Sequence, residues 1–149
     1  MKSFCLVLAL FVSTLTVVAQ KKIIKTDQAP APIGPYSQAV EANGLIFVAG
    51  QLGLNPQTRQ LVSGGFEAET TQIMENIKAI LLAGNLSMSD IVNTTIYLKD
   101  VANFPKVNEI YGSYFTGNFP ARTTVGSNNL PAGASIEIAV VALRGPKRK

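Results

Sequence analysis

Apolar positions recur along the chain with a period that switches between two and nearly four, and the switches outline its elements. Ile23-Ile24 predicts a short first strand. The stretch Ala29-Pro-Ala-Pro-Ile-Gly-Pro35 then blocks regular structure, because each proline lacks an amide donor and restrains the residue before it. Tyr36 to Ala42 and Leu45 to Ala49 flank Asn43-Gly44, a dipeptide that favours the tight turn of a hairpin. Gly50 to Gly65 reads as a loop. From Glu67 a helix begins with acids in its first turn, carries Ile73, Ile77, Ile80 and Leu81 as its apolar stripe, and stops at Gly84. Ile91 to Leu98 predicts a strand with Val92, Thr94, Ile96 and Leu98 on one face. A second helix is expected from about Asn103, as cap, to Phe115, with Phe104, Val107, Tyr111 and Phe115 as its stripe. Arg122 to Val125, a Gly-Ser-Asn-Asn loop and a last strand close the chain.

That last strand, Ser135 to Leu143, is apolar on both faces and carries a single charge, Glu137. An ionised carboxylate in such a strand costs several kcal/mol unless it is paired, hydrogen-bonded or neutralised. Arg122, in Phe119-Pro-Ala-Arg122, is the partner the sequence offers. The two form either a buried pair that fixes strand register or part of a site. Asn108 lies on the same side of the second helix as the apolar stripe, so its amide either bonds backbone in a helix contact or meets a ligand or interface. Past residue 20 the chain has no His and no Cys. Chemistry therefore falls to carboxylates, Arg, Lys, Tyr, hydroxyls or backbone. A zinc site built on His or Cys, a Ser-His-Asp triad and a Cys-His pair are excluded, and no phosphate-binding glycine loop is present.

Residues 1–19 have a short basic start, an uncharged apolar run from Phe4 to Ala19, and small residues before Gln20. This pattern predicts a cleaved signal peptide and an exported (periplasmic or secreted) protein, with no membrane association once the segment is removed. Residues 20–149 are then one domain without cysteine. The net charge of +4 sits in the ends: between Thr26 and Pro146, six basic residues face nine acids. With no basic stripe carrying interleaved aromatics, no nucleic-acid partner is expected.

Strand, hairpin, helix, strand, helix and two strands make an α+β fold, a mixed and mainly antiparallel sheet with two helices on one face. Helices cover one face only, yet the last strand is apolar on both. Another copy of the chain is the natural cover, and closed homo-oligomers are the common way to supply it. A site using Arg122 and Glu137 could then lie at a subunit boundary.

Ala31-Pro-Ile-Gly-Pro-Tyr-Ser-Gln-Ala39, Val48-Ala-Gly-Gln51, Asn55-Pro-Gln-Thr58, Val107-Asn-Glu-Ile-Tyr111, Phe119-Pro-Ala-Arg122 and Ile136-Glu-Ile138 follow one another in the chain. In this order they resemble the RidA (YjgF/YER057c/UK114) family. The resemblance implies a chorismate-mutase-like fold and a homotrimer with clefts between subunits. It also implies hydrolysis of reactive 2-imino or enamine acids to 2-oxo acids and ammonia, without a cofactor. Arg122 would bind the substrate carboxylate, Glu137 would position or activate water, and Tyr36, Gly50 and Asn108 would line the cleft. Thr124 stands at a substrate-side position where the family often has a reactive cysteine.

The chemistry suits those residues on its own terms. A planar guanidinium holds a carboxylate by two parallel hydrogen bonds. A positioned water beside a carboxylate base offers proximity and general-base help of ~10²–10⁴-fold. Gly50 permits close backbone approach, and Tyr36 either reaches into the site as a third catalytic group or is an amphipathic rim residue. A non-catalytic small-carboxylate binder or chaperone-like trimer of the same fold is the alternative. A ribonuclease fits poorly, given the absent His and the weak basic patch.

Overall fold

The computed structural model describes residues 21–145. Six strands form one sheet: β1 (Lys22–Ile24), β2 (Ala39–Ala42), β3 (Leu45–Gln51), β4 (Ile91–Leu98), β5 (Ala121–Gly126) and β6 (Ile136–Leu143). Two helices, α1 (Gly65–Ala83) and α2 (Phe104–Gly112), pack on one side of it. The spatial order is β1-β2-β3-β6-β4-β5, antiparallel throughout except for β4 and β5. The expected mixed, mainly antiparallel α+β fold is what forms. The strand with Glu137 lies in the middle, between β3 and β4, and the strand with Arg122 is an edge.

The core follows the predicted periods. Ile136, Ile138, Val140 and Ala142 of β6 are buried with Ile46 and Val48 of β3 and with Ile96 and Leu98 of β4. They meet Ile73, Ile77, Ile80 and Leu81 of α1 and Val107 and Tyr111 of α2. Val92 is not with Thr94, Ile96 and Leu98: it is 42% exposed, because the β4–β6 register shifts between Ile91 and Asn93. The other sheet face is open in the single chain. Phe47 (46% exposed), Leu143 (47%), Val125 (42%) and Tyr97 (37%) lie there in one apolar expanse. This is the uncovered face that the two-sided pattern of β6 requires.

Element ends depart from expectation for local reasons. Asn43 and Gly44 both adopt positive φ (51° and 79°), the geometry that a two-residue hairpin turn demands. Helix α1 starts two residues early, after Gly64 in a left-handed conformation. Helix α2 is shorter than Asn103–Phe115. A 3-10 turn over Val101–Asn103 precedes it, and the cap is Asp100, whose Oδ1 accepts from the Ala102 amide at 2.9 Å. Asn103 has helical φ and ψ and makes no capping bond. Strand β2 begins at Ala39 because Gln38 is buried as a bracket: its Nε2 donates to the carbonyls of Thr26, Ala29 and Pro30, and its Oε1 accepts from the Thr26 amide. No helix among the described residues is long and apolar enough to cross a membrane.

Candidate functional site

Arg122 projects from edge strand β5 towards α2. It pairs with Thr94 across the parallel ladder, and Thr94 is fully buried under the helices. Its Nη2 donates to Asn108 Oδ1 at 2.6 Å, and its guanidinium carbon lies 5.1 Å from the Tyr111 ring centre and 5.5 Å from that of Phe104. Positions 104, 108 and 111 share one helix face, so about two turns of α2 hold the cation. Tyr111 is fixed in turn by a 3.0 Å hydrogen bond between its hydroxyl and Thr94 Oγ1, and burial raises its pKa. All these partners are neutral. Among the described residues Arg122 makes no ion pair, so its remaining N–H donors keep their capacity for a carboxylate. Asn108 therefore bonds the Arg122 side chain, where a helix-packing bond to backbone was one expectation.

Glu137 stands on the other face of the sheet. Its partner on β4 is Tyr97, whereas Arg122 is aligned with Thr94 and Ile138 with Ile96. Beside it β3 bulges: Val48 opposes Val140 but Gln51 opposes Ile138, one residue extra on β3. The bulge turns Gly50 towards Glu137, and a Cβ at Gly50 would collide with Glu137 Oε1. Only glycine leaves room for that carboxylate. No described residue hydrogen-bonds it, and burial pushes its pKa above the usual 4.5.

Tyr36 is exposed, and its hydroxyl accepts from the Ile33 amide at 3.3 Å. It borders a hollow of about 560 Å³ with Val40, Phe47 and Ala49, on the Glu137 side of the sheet. Thr124 lies two residues beyond Arg122 on the helix side, with its Oγ1 buried and unpartnered. The candidate residues thus fall into two groups. Arg122, Asn108 and Thr124 belong to one sheet face, Glu137, Gly50 and Tyr36 to the other. An Arg122–Glu137 pair fixing strand register does not form.

Further polar residues brace the loop after β3 and the two ends of β6. Asn76 of α1 is buried and donates from Nδ2 to the carbonyls of Leu52 (3.3 Å) and Leu54 (3.0 Å). Glu69 accepts from the Ser135 amide at 2.8 Å and its hydroxyl at 3.1 Å, just ahead of β6. Gly53 lets this loop touch the Glu69 backbone. Arg144 clamps Glu41 through Nε and Nη2 and also donates to the Gly84 carbonyl, so Glu41 has a lowered pKa, chiefly through the hydrogen bonds. Only the burial of polar groups within helical periods could have signalled Asn76 and Glu69.

A family model described as Endoribonuclease L-PSP matches residues 26–144, nearly the whole described domain. The chain belongs to this family, the RidA group that its motifs resemble. A RidA-family relative named 2-iminobutanoate/2-iminopropanoate deaminase, from Homo sapiens, is 45% identical over 126 residues, spanning 85% of this chain and 92% of that protein. A RutC family protein of Pyrococcus horikoshii is 45% identical over 124 residues, 83% of this chain and 98% of that protein. The crystal structure of a Rid family protein from Yersinia pestis superposes with a TM-score of 0.81 at 45% identity, covering 83% of this chain and 99% of that one.

These relatives correct one expectation. The export reading rests on residues 1–19, which lie outside the described residues. The family match begins behind them, and coverage of 98% of the Pyrococcus protein leaves no room there for a leader of that length. The matched relatives offer no support for a signal peptide, and the descriptors signal peptide and secreted or periplasmic are withdrawn.

Proposed function

We propose that the chain hydrolyses small 2-imino acids to 2-oxo acids and ammonia, at sites completed between copies of itself in a closed trimer. The observation that carries this reading is the division of charge. A guanidinium held only by neutral groups faces one way, and an unpaired carboxylate of raised pKa faces the other. Either group alone is a costly feature; brought together by a neighbouring copy, they suit a substrate with a carboxylate at one end and an electrophilic C=N carbon next to it. The human relative's name supports the same chemistry.

In the proposed reaction Arg122 binds the carboxylate through two parallel donors while Asn108 and the two rings keep the fork oriented. Glu137 of the adjoining copy accepts a proton from water as the water oxygen bonds to C2 of the protonated imine. It returns that proton to the nitrogen of the tetrahedral adduct. The C–N bond then breaks, ammonia leaves, and loss of the hydroxyl proton gives the 2-oxo acid. Desolvation suits Glu137 to this exchange, since burial raises its pKa and a carboxylate of raised pKa is the stronger base. Gly50 leaves space for the carboxylate, and Tyr36 borders the same half-site.

The deciding measurement is ammonia release from freshly generated 2-iminopropanoate and 2-iminobutanoate. Accelerated release with 2-oxo acid formed in equal amount supports the reading. Binding of 2-oxobutanoate with no acceleration of hydrolysis would replace it by a small-carboxylate binder.

A further inference from the structure

Beside Arg122 runs a groove of about 400 Å³ whose other lining residues are Asn108, Tyr111, Gly112, Phe119 and Pro120. Apart from Arg122 and the Asn108 amide already bonded to it, the wall is aromatic ring, proline and glycine. Phe119 is 63% exposed, yet it is held in place: its ring packs 5.9 Å from Phe115, which lies 4.8 Å from Tyr111. A row of three rings ending in an exposed phenylalanine next to a carboxylate-binding cation is a poor arrangement for water and a good one for an apolar group. The floor is open as well. A Cβ added at Gly112 would meet nothing within 4 Å, so α2 ends without filling the groove.

We propose that this groove receives the side chain of the substrate, and that the chain prefers 2-imino acids with bulky apolar side chains, branched or aromatic, over those bearing methyl or ethyl. The inference rests on the imine-hydrolysis reading above. A carboxylate seated on Arg122 places C2 at the mouth of the groove. The imine carbon then faces the neighbouring copy's Glu137, and the substituent on C2 turns back along Tyr111 and Phe119. Methyl or ethyl would leave most of the groove filled with water, whereas a leucine-like or phenylalanine-like group displaces it and buries Phe119. A cationic side chain would meet the like charge of Arg122, with no carboxylate in the groove to balance it.

The test compares imines generated from alanine, 2-aminobutyrate, leucine and phenylalanine on the full-length protein. We expect kcat/KM for the leucine- or phenylalanine-derived imine to exceed that for the alanine-derived one by about tenfold or more, since each buried methylene is worth roughly that order in an apolar pocket. Gly112→Leu fills the groove at a position with free space, and leucine is the better helix former. It should lower kcat/KM far more for the leucine- and phenylalanine-derived imines than for the alanine-derived one and so remove most of the advantage of large substrates, a pattern set by side-chain size. Phe119→Ala, at an exposed position, should lower the preference in the same direction.

Equal or falling kcat/KM along the series overturns the proposal, as it would if a second copy occupied the groove. So does a Gly112→Leu effect equal for all substrates. Calorimetry with pyruvate and 4-methyl-2-oxopentanoate separates the two levels of the argument. Tighter binding of the larger acid without any imine hydrolysis keeps the groove and removes the hydrolase. Hydrolysis with equal binding of both acids does the reverse.

Discussion

Arg122 is held by the Asn108 oxygen and by ring faces, with no counter-ion among the described residues, and this sets what single substitutions should do. Arg122→Lys keeps the charge but loses the planar fork and the contacts with Phe104 and Tyr111. It should cost ~2–4 kcal/mol in kcat/KM for imino acids, most of it in substrate binding; a Lys variant of wild-type efficiency would remove the carboxylate-clamp role. Phe104 is 43% exposed, so replacing it disturbs the core little. Phe104→Leu should keep the melting temperature, leave kcat near its normal value and weaken 2-oxo acid binding by about threefold to tenfold, with recovery in Phe104→Tyr, as expected for a cation–π contact at a partly open site. Unchanged affinity in the Leu variant would make Phe104 a bystander. In the proposed reaction Glu137 carries the pH dependence. Because burial raises its pKa above 4.5, the base is lost on acidification earlier than an ordinary carboxylate would be, and kcat/KM should fall through an apparent pKa above that value. The native state also binds this proton more tightly than the unfolded chain. The stability contribution of Glu137 therefore improves as pH falls through the raised pKa and is least favourable above it. Glu137→Gln should flatten both profiles on the same preparation; an intact acid limb in the Gln variant would assign the titration to another group.

At the scale of elements, the sheet and helices put the candidate residues on regular backbone, and a loop held against α1 follows the bulge in β3. Asn76 of α1 holds that loop by two buried carbonyl acceptors. Asn76→Ala should leave the Leu54 carbonyl unsatisfied, while that of Leu52 keeps the Leu54 amide, and lower stability by about 1–3 kcal/mol; Asn76→Asp should cost more by presenting a carboxylate to two carbonyls. Chemical denaturation with a constant m-value reads this directly, and a loss below the error of extrapolation would mean that water replaces the amide. The elements themselves were legible because their signals are local. Asn43-Gly44 announces its turn, the period of Ile73, Ile77, Ile80 and Leu81 announces a helix, and a lone Glu137 in an apolar strand announces a special position. The bulge at Gly50 was not legible: one extra residue in a strand leaves no periodic trace, and the glycine there reads equally as the start of a loop. Nor was the Asn108–Arg122 bond, since an amide on a helix gives no sign of which strand will lie beneath it. Asn76 and Glu69 look like any polar helix residues until the loop they hold is in place. The division of the site between two faces follows from register, because Arg122 is aligned with Thr94 and Glu137 with Tyr97, and alternate residues on β4 point in opposite directions.

At the scale of the whole molecule, that division makes a sharp claim about assembly. The open sheet face with Phe47, Tyr97, Val125 and Leu143 needs a cover, and in the proposed trimer a closed ring of identical copies would provide one and would bring the Arg122 edge of each copy towards the Glu137 face of the next. The native protein should sediment at about three times its monomer mass, as such a ring requires. Arg122→Ala and Glu137→Gln variants should each be nearly inactive when assembled alone. Mixed in equal amounts, unfolded and refolded together, they should regain activity, because in a head-to-tail ring about one boundary in four joins a copy that keeps Arg122 to a copy that keeps Glu137 in the right order. Total activity should approach roughly a quarter of the wild-type value, and a mixture left without subunit exchange should stay near zero. A site built from both residues of one chain predicts no recovery under any mixing, so an inactive, fully exchanged mixture that still sediments as a trimer would overturn the shared site and leave the trimer standing. A protein that remains folded and monomeric at micromolar concentration would remove both.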